Sequence, residues 1–253
     1  MYPAPIYPPF ALPFYRDARQ PRIVSGAYGD VNGDGVPDYV YLTAEPAEQG
    51  GPYLRNITVN IRCGSTQRTY AIPLDPNANS GYNPTVFLGD FTKDGIADIL
   101  VRIDSGGSGA LTYDYVFSFK GNISRKLFDF NEYNEQNRYT VRFRDGYKVK
   151  VASPATKTEF IIDISGRDPE YLAEIYDAKG KLKRPVSGGY NGVSGFYPVD
   201  MDRDGVYELQ AYQRITGLYN ADSLGYVINT LQWDGSRFGI QQQWLAIFGN
   251  SKD

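Results

Sequence analysis

Three short stretches of this chain space their side-chain oxygens in a way that suits a hard divalent cation. They read Asp30-Val-Asn-Gly-Asp-Gly-Val-Pro-Asp38, Asp90-Phe-Thr-Lys-Asp-Gly-Ile-Ala-Asp98 and Asp200-Met-Asp-Arg-Asp-Gly-Val-Tyr-Glu208. Positions 1, 3, 5 and 9 hold Asp30, Asn32, Asp34 and Asp38 in loop 1 and Asp90, Thr92, Asp94 and Asp98 in loop 2. In loop 3 they hold Asp200, Asp202, Asp204 and Glu208. Ca²⁺ takes about six to eight oxygen ligands, and a tight loop with alternating carboxylates supplies them. Position 6 is glycine in all three (Gly35, Gly95, Gly205), as a turn through positive φ favours. A single copy reads equally well as a solvated Asp-Gly turn between two strands. Three copies in the same setting form a repeat unit and point to metal.

The rest of the composition narrows the chemistry. The chain has 253 residues and no histidine, so Ser-His-Asp and Cys-His catalysis and His-based zinc sites are ruled out. Its one cysteine, Cys63, ends an alternating apolar stretch and reads as a packed strand thiol. A net charge of −3 with no basic stripe gives no reason to expect nucleic acid. No apolar run approaches the roughly 18 residues of a membrane helix, so no membrane insertion is expected. The start of the chain lacks the basic region expected of a signal peptide, and its prolines would break up a helical apolar region. Carboxylates outside the loops that could serve a glycosidase pair are available in Asp104, Asp114, Glu132 and Glu135, but no spacing singles out a pair.

The elements that must position these loops are strands. Tyr 22, Phe 13 and Gly 27 favour β structure with many turns. A short apolar strand enters each loop, an apolar or aromatic one leaves it, and two more follow after a turn. Asp234-Gly-Ser-Arg237 is a clear hairpin signal. Loops 1 and 2 begin 60 residues apart and loops 2 and 3 begin 110 apart, about two periods of 55. A further unit without an acidic loop is therefore expected over 138–195, with strands at 139–144, 147–152 and 159–164. A helix is expected there too, capped by Asp168, with Pro169 in its first turn and Gly180 at its end. Four strands per unit at this period predict an all-β fold: a small β-propeller, or propeller-like fan, of about four four-stranded blades with one inserted helix. Residues 1–22, rich in proline and tyrosine, form a separate tail of extended character. The propeller domain covers 23–253.

The loops exclude an EF-hand, which needs a bidentate Glu at position 12; here that position is Tyr41, Val101 or Ala211. A dockerin-type loop runs into a helix, whereas these run into strands. The loops and their entering strands resemble the FG-GAP/VCBS repeat family of calcium-loop propeller blades. The chain is also similar to VCBS-type proteins of spore-forming bacteria. That resemblance implies up to three calcium ions, one per loop, with the backbone carbonyls of Val36, Ile96 and Val206 completing the sets. Thr92 and the neighbouring Lys93 would make loop 2 the weakest site. It further implies a non-enzymatic structural or adhesion protein of a bacterial cell or spore surface, with a protein or polysaccharide partner. The alternatives are a carbohydrate-active enzyme or a lectin-like sugar binder on the same scaffold.

Overall fold

A computed structural model describes residues 20–249, and its architecture is all-β with two short helices. Four antiparallel meanders follow one another along the chain. The first sheet contains β1 (Arg22–Gly29), β2 (Asp38–Pro46), β3 (Leu54–Arg62) and β4 (Thr69–Pro73). The second contains β5 (Tyr82–Gly89), β6 (Asp98–Asp104), β7 (Thr112–Ser118) and β8 (Arg125–Asp129). The third has three strands, β9 (Thr140–Arg144), β10 (Lys148–Ser153) and β11 (Thr158–Asp163). The fourth contains β12 (Gly189–Val199), β13 (Glu208–Thr216), β14 (Ser223–Trp233) and β15 (Phe238–Ala246). Every sheet pairs its strands in sequence order, as units joined by short turns must.

The second sheet is central. β6 (Asp-Ile-Leu-Val-Arg-Ile-Asp) is almost continuously buried, the pattern of a strand covered on both faces. β2 instead alternates strictly between buried and half-buried, so the first sheet keeps one outward face. One core cluster joins Val40 and Leu42 of the first sheet, Ile99 and Val116 of the second, and Phe196 and Leu209 of the fourth. A second cluster joins Val149 and Val151 of the third sheet to Ile215 and Val227 of the fourth. β12 touches both β7 and β9. The fourth sheet thus packs directly on the second, although the third lies between them in sequence.

Two helices are present where one was expected. α2 (Pro169–Ile175) has the anticipated start: Asp168 accepts from the Glu170 and Tyr171 N–H groups. It stops at Tyr176 rather than at Gly180, which sits in the following turn at φ 71°. The helix missed from sequence is α1 (Phe130–Gln136). Its signal is Asp129 with Glu132 three residues on, the acidic form of a capping box, and Asp129 accepts the Asn131 N–H at 2.9 Å. Among the described residues no helix is long and apolar enough to cross a membrane. Most of the tail assigned to 1–22 lies outside the described residues, and from Arg22 the chain is already in β1.

Candidate metal centre

Loops 1, 2 and 3 occupy the turns β1–β2, β5–β6 and β12–β13. Their carboxylates serve first to wire the loop itself. The position-1 aspartate collects backbone N–H groups: Asp30 from Gly33 and Gly35 (2.7 and 2.8 Å), and Asp90 from Lys93 and Gly95 (2.7 and 2.8 Å). Asp200 accepts from Asp204 and Gly205, both at 3.1 Å. The position-5 aspartates Asp34, Asp94 and Asp204 accept the N–H of Val36, Ile96 and Val206 at 2.9, 3.0 and 2.9 Å. The position-9 carboxylates Asp38, Asp98 and Glu208 are buried and accept the position-2 N–H at 3.1, 3.1 and 3.2 Å. These bonds satisfy the backbone donors that a tight loop would otherwise leave unpaired.

Position 6 has the positive φ anticipated from its glycines, at 80°, 79° and 86°. Position 4 has it as well: Gly33 at 82°, Lys93 at 60° and Arg203 at 65°. Only loop 1 advertises this second left-handed residue by a glycine.

The loops also bond to one another. The Asp30 carbonyl accepts from Ala97 N at 3.1 Å, and the Asp90 carbonyl accepts from Tyr207 N at 2.8 Å. They therefore lie in line, in the order 1, 2, 3.

The sets differ in how far their oxygens converge. In loop 3, one oxygen each of Asp200, Asp202 and Asp204 lies within 4.8 Å of the others, and among the described residues only this acidic triad is so close. In loop 1, Asn32 turns its amide nitrogen toward Asp34 Oδ2, Cys63 Sγ and Asn122 Oδ1 at 3.3, 3.4 and 3.3 Å. Both Asp38 oxygens are taken by backbone, from Val31 N and Gly64 N. In loop 2 the Thr92 hydroxyl donates to Asp98 Oδ2 at 3.2 Å. Lys120 Nζ sits 3.0 Å from Asp94 Oδ2. Lys93 belongs to loop 2 by sequence, yet its ammonium lies 3.1 Å from Asp204 Oδ2 of loop 3.

The electrostatics follow this wiring. Burial pushes the Asp98 carboxyl up to about 6, against the opposing Phe91 N–H and Thr92 hydroxyl. The Ser65 hydroxyl and then the Val36 N–H hold Asp34 low. The Val206 N–H and then Lys93 do the same for Asp204, while the Asp204 hydrogen bond raises Lys93. An all-oxygen donor set with three converging carboxylates fits a hard cation in loop 3. Loops 1 and 2 have spent more of their oxygens on the protein.

Comparison with known proteins decides the family. A family model described as the YybI C-terminal domain matches residues 137–246. The chain is 48% identical over 236 residues to uncharacterized protein YybI of Bacillus subtilis (strain 168), covering 92% of this chain and 89% of that protein. The chain belongs to the YybI family. This overturns the resemblance to FG-GAP/VCBS repeats. The matched domain spans the third and fourth sheets and contains loop 3, while loops 1 and 2 precede it. Alternating carboxylates around a glycine satisfy the amides of any tight strand–loop–strand turn. The motif therefore reports local backbone chemistry more than ancestry.

Proposed function

We propose that this protein is a non-enzymatic binding scaffold shaped as a propeller-like fan and stapled by a divalent cation, with calcium at loop 3. The observation that carries the reading is the convergence of Asp200, Asp202 and Asp204. Without a cation, like charges at that spacing repel, and among the described residues only Lys93 forms an ion pair with them, from across the loop boundary. Loops 1 and 2 would bind more weakly, because Asn32 and Thr92 already donate to neighbouring carboxylates. The hydrogen bonds that link loops 1, 2 and 3 in line support the fan. Partners, protein or polysaccharide, would meet the surface these sheets present.

Thermal unfolding in EDTA against millimolar calcium tests the reading. A ligand at a hundredfold excess over Kd adds about 2.7 kcal/mol. In a chain of this size that is on the order of 5–10 °C in midpoint. Asp202→Ala should remove most of the shift, and Asp34→Ala and Asp94→Ala should retain it. An unchanged midpoint in the parent protein would sink the calcium assignment.

A further inference from the structure

A recess of about 700 Å³ opens between β8, α1, the β10–β11 turn and the start of β15, well away from the three loops in sequence. Three sheets contribute to its walls, and ligand sites concentrate at such junctions and at such volumes. Its apolar floor is made of Phe128 and Phe238, with ring centroids 6.1 Å apart and near-perpendicular planes. Tyr133 sits beside Phe128 at 5.6 Å.

The polar groups around that floor are amides and a hydroxyl, with charged side chains of both signs beside them. Asn137 lines the recess and is only 7% exposed. Its Nδ2 donates to the Tyr133 carbonyl at 2.9 Å, and its Oδ1 has no partner among the described residues. Gln136 is exposed on the same wall, and its amide makes no hydrogen bond among the described residues. The Thr156 hydroxyl donates to Gln243 at 2.9 Å and keeps its lone pairs. Lys126 is held by Asp129 at 2.6 Å and lies 3.9 Å from Glu132, and Arg237 lies 3.7 Å from Asp234.

We propose that this recess binds a neutral, hydroxyl-rich saccharide. An anion would meet the Asp129 and Glu132 carboxylates of the lining, whereas Arg237, which approaches Asp234 only at 3.7 Å, keeps N–H groups that can donate to a hydroxyl. An apolar molecule would bury the Asn137 Oδ1 and the Gln136 amide without partners, at the cost of their hydration. A sugar ring has apolar C–H faces for the phenylalanine floor and hydroxyls that both donate and accept for the amides. This site does not depend on the cation of loop 3, so the two readings fail separately.

Titration calorimetry with cellohexaose, chitohexaose and laminarihexaose, all in EDTA, tests the assignment. One of the three should bind, and the double variant Gln136→Ala/Arg237→Ala should weaken it about tenfold or more. Both substituted side chains are exposed, so the melting midpoint of the variant should match the parent. Failure of all three sugars to bind at millimolar concentration overturns the proposal. So does a sugar whose affinity the double variant leaves unchanged, because that sugar sits elsewhere.

Discussion

Replacing Asp114 by asparagine should stabilise the protein at pH 8 and flatten its pH dependence between about pH 4 and pH 7. Asp114 lies on β7, fully buried, directly opposite Arg102 of β6. One carboxylate oxygen accepts the Thr112 hydroxyl; the other, like Arg102 Nε, has no partner among the described residues. Burial pushes this carboxyl up to about 7, against the Thr112 hydrogen bond and the charge of Arg102, while Asp104 adds to the rise. The native state therefore holds a proton where the unfolded chain, titrating near 3.8, has lost it. More protons bound in the native state means that stability falls as pH climbs through this window and levels off above it. The rise from 3.8 to about 7, at about 1.4 kcal/mol per pH unit, sets a ceiling of ~4 kcal/mol. Asparagine keeps the shape and escapes that cost, so a gain of roughly 2–4 kcal/mol at pH 8 is expected. Asp98 titrates in the same window, so the quantity to follow is the variant-minus-parent difference at each pH, in which a separate site cancels. Urea unfolding between pH 4 and pH 8 supplies it. Parallel profiles, or a variant less stable than the parent at pH 8, would refute the reasoning, because they would mean an ionised Asp114 supported by Arg102.

Lys93→Met should free Asp204 from its ammonium and enlarge the calcium-dependent rise in melting midpoint; an unchanged rise would show that the pair does not oppose the cation. Asn229→Leu should cost about 3 kcal/mol or more in urea unfolding. Asn229 is fully buried, donates to the Tyr133 and Tyr139 hydroxyls and accepts from Gln243, so three groups lose a partner at about 1–3 kcal/mol each. Gly33→Ala and Gly95→Ala both force alanine into positive φ, at about 1–2 kcal/mol. The first should cost more, because its new Cβ would stand 2.6 Å from Ile96 Cδ1 while the second meets nothing within 4 Å. Equal losses in melting midpoint would contradict that steric difference.

Strand order was legible because each acidic loop is followed by apolar runs whose period changes with burial. β2 alternates and keeps an outward face, while β6 is continuous and central. Spacing also located the loop-less unit, and β9 to β11 lie where it placed them. What spacing could not convey is which sheet covers which. The third sheet follows the second in sequence, yet Phe196 of β12 stacks on Phe128 of β8 at 4.5 Å. Burial pattern alone does not name the partner of an apolar face. The site was legible to a similar depth. Residue types marked positions 1, 5 and 9 as metal ligands, whereas the structure shows them accepting the loop's own N–H groups, and the direction of Lys93 depends on a contact 111 residues away in sequence. Asn137 of the recess was invisible for the same reason, since its surroundings come from three sheets.

One residue type records the order of the loops. The carbonyl at position 1 of each loop accepts from the N–H at position 8 of the next, Asp30 from Ala97 and Asp90 from Tyr207. In loop 1, position 8 is Pro37, which has no N–H to give. Loop 1 follows no earlier loop in the line, so the missing donor costs nothing there. The same proline in loop 2 or loop 3 would leave a neighbouring carbonyl unpaired. It also means that Asp200, at the other end of the line, cannot close back on loop 1 by the bond that joins the others. Among the described residues no backbone N–H of the third sheet donates to the Asp200 carbonyl either. At the level of the loops the arrangement therefore has two different ends: one sealed by proline, and the other ending in loop 3, the most acidic of the three. The acidic end gathers Asp200, Asp202 and Asp204, and its one ion pair among the described residues comes from Lys93 of the loop before it.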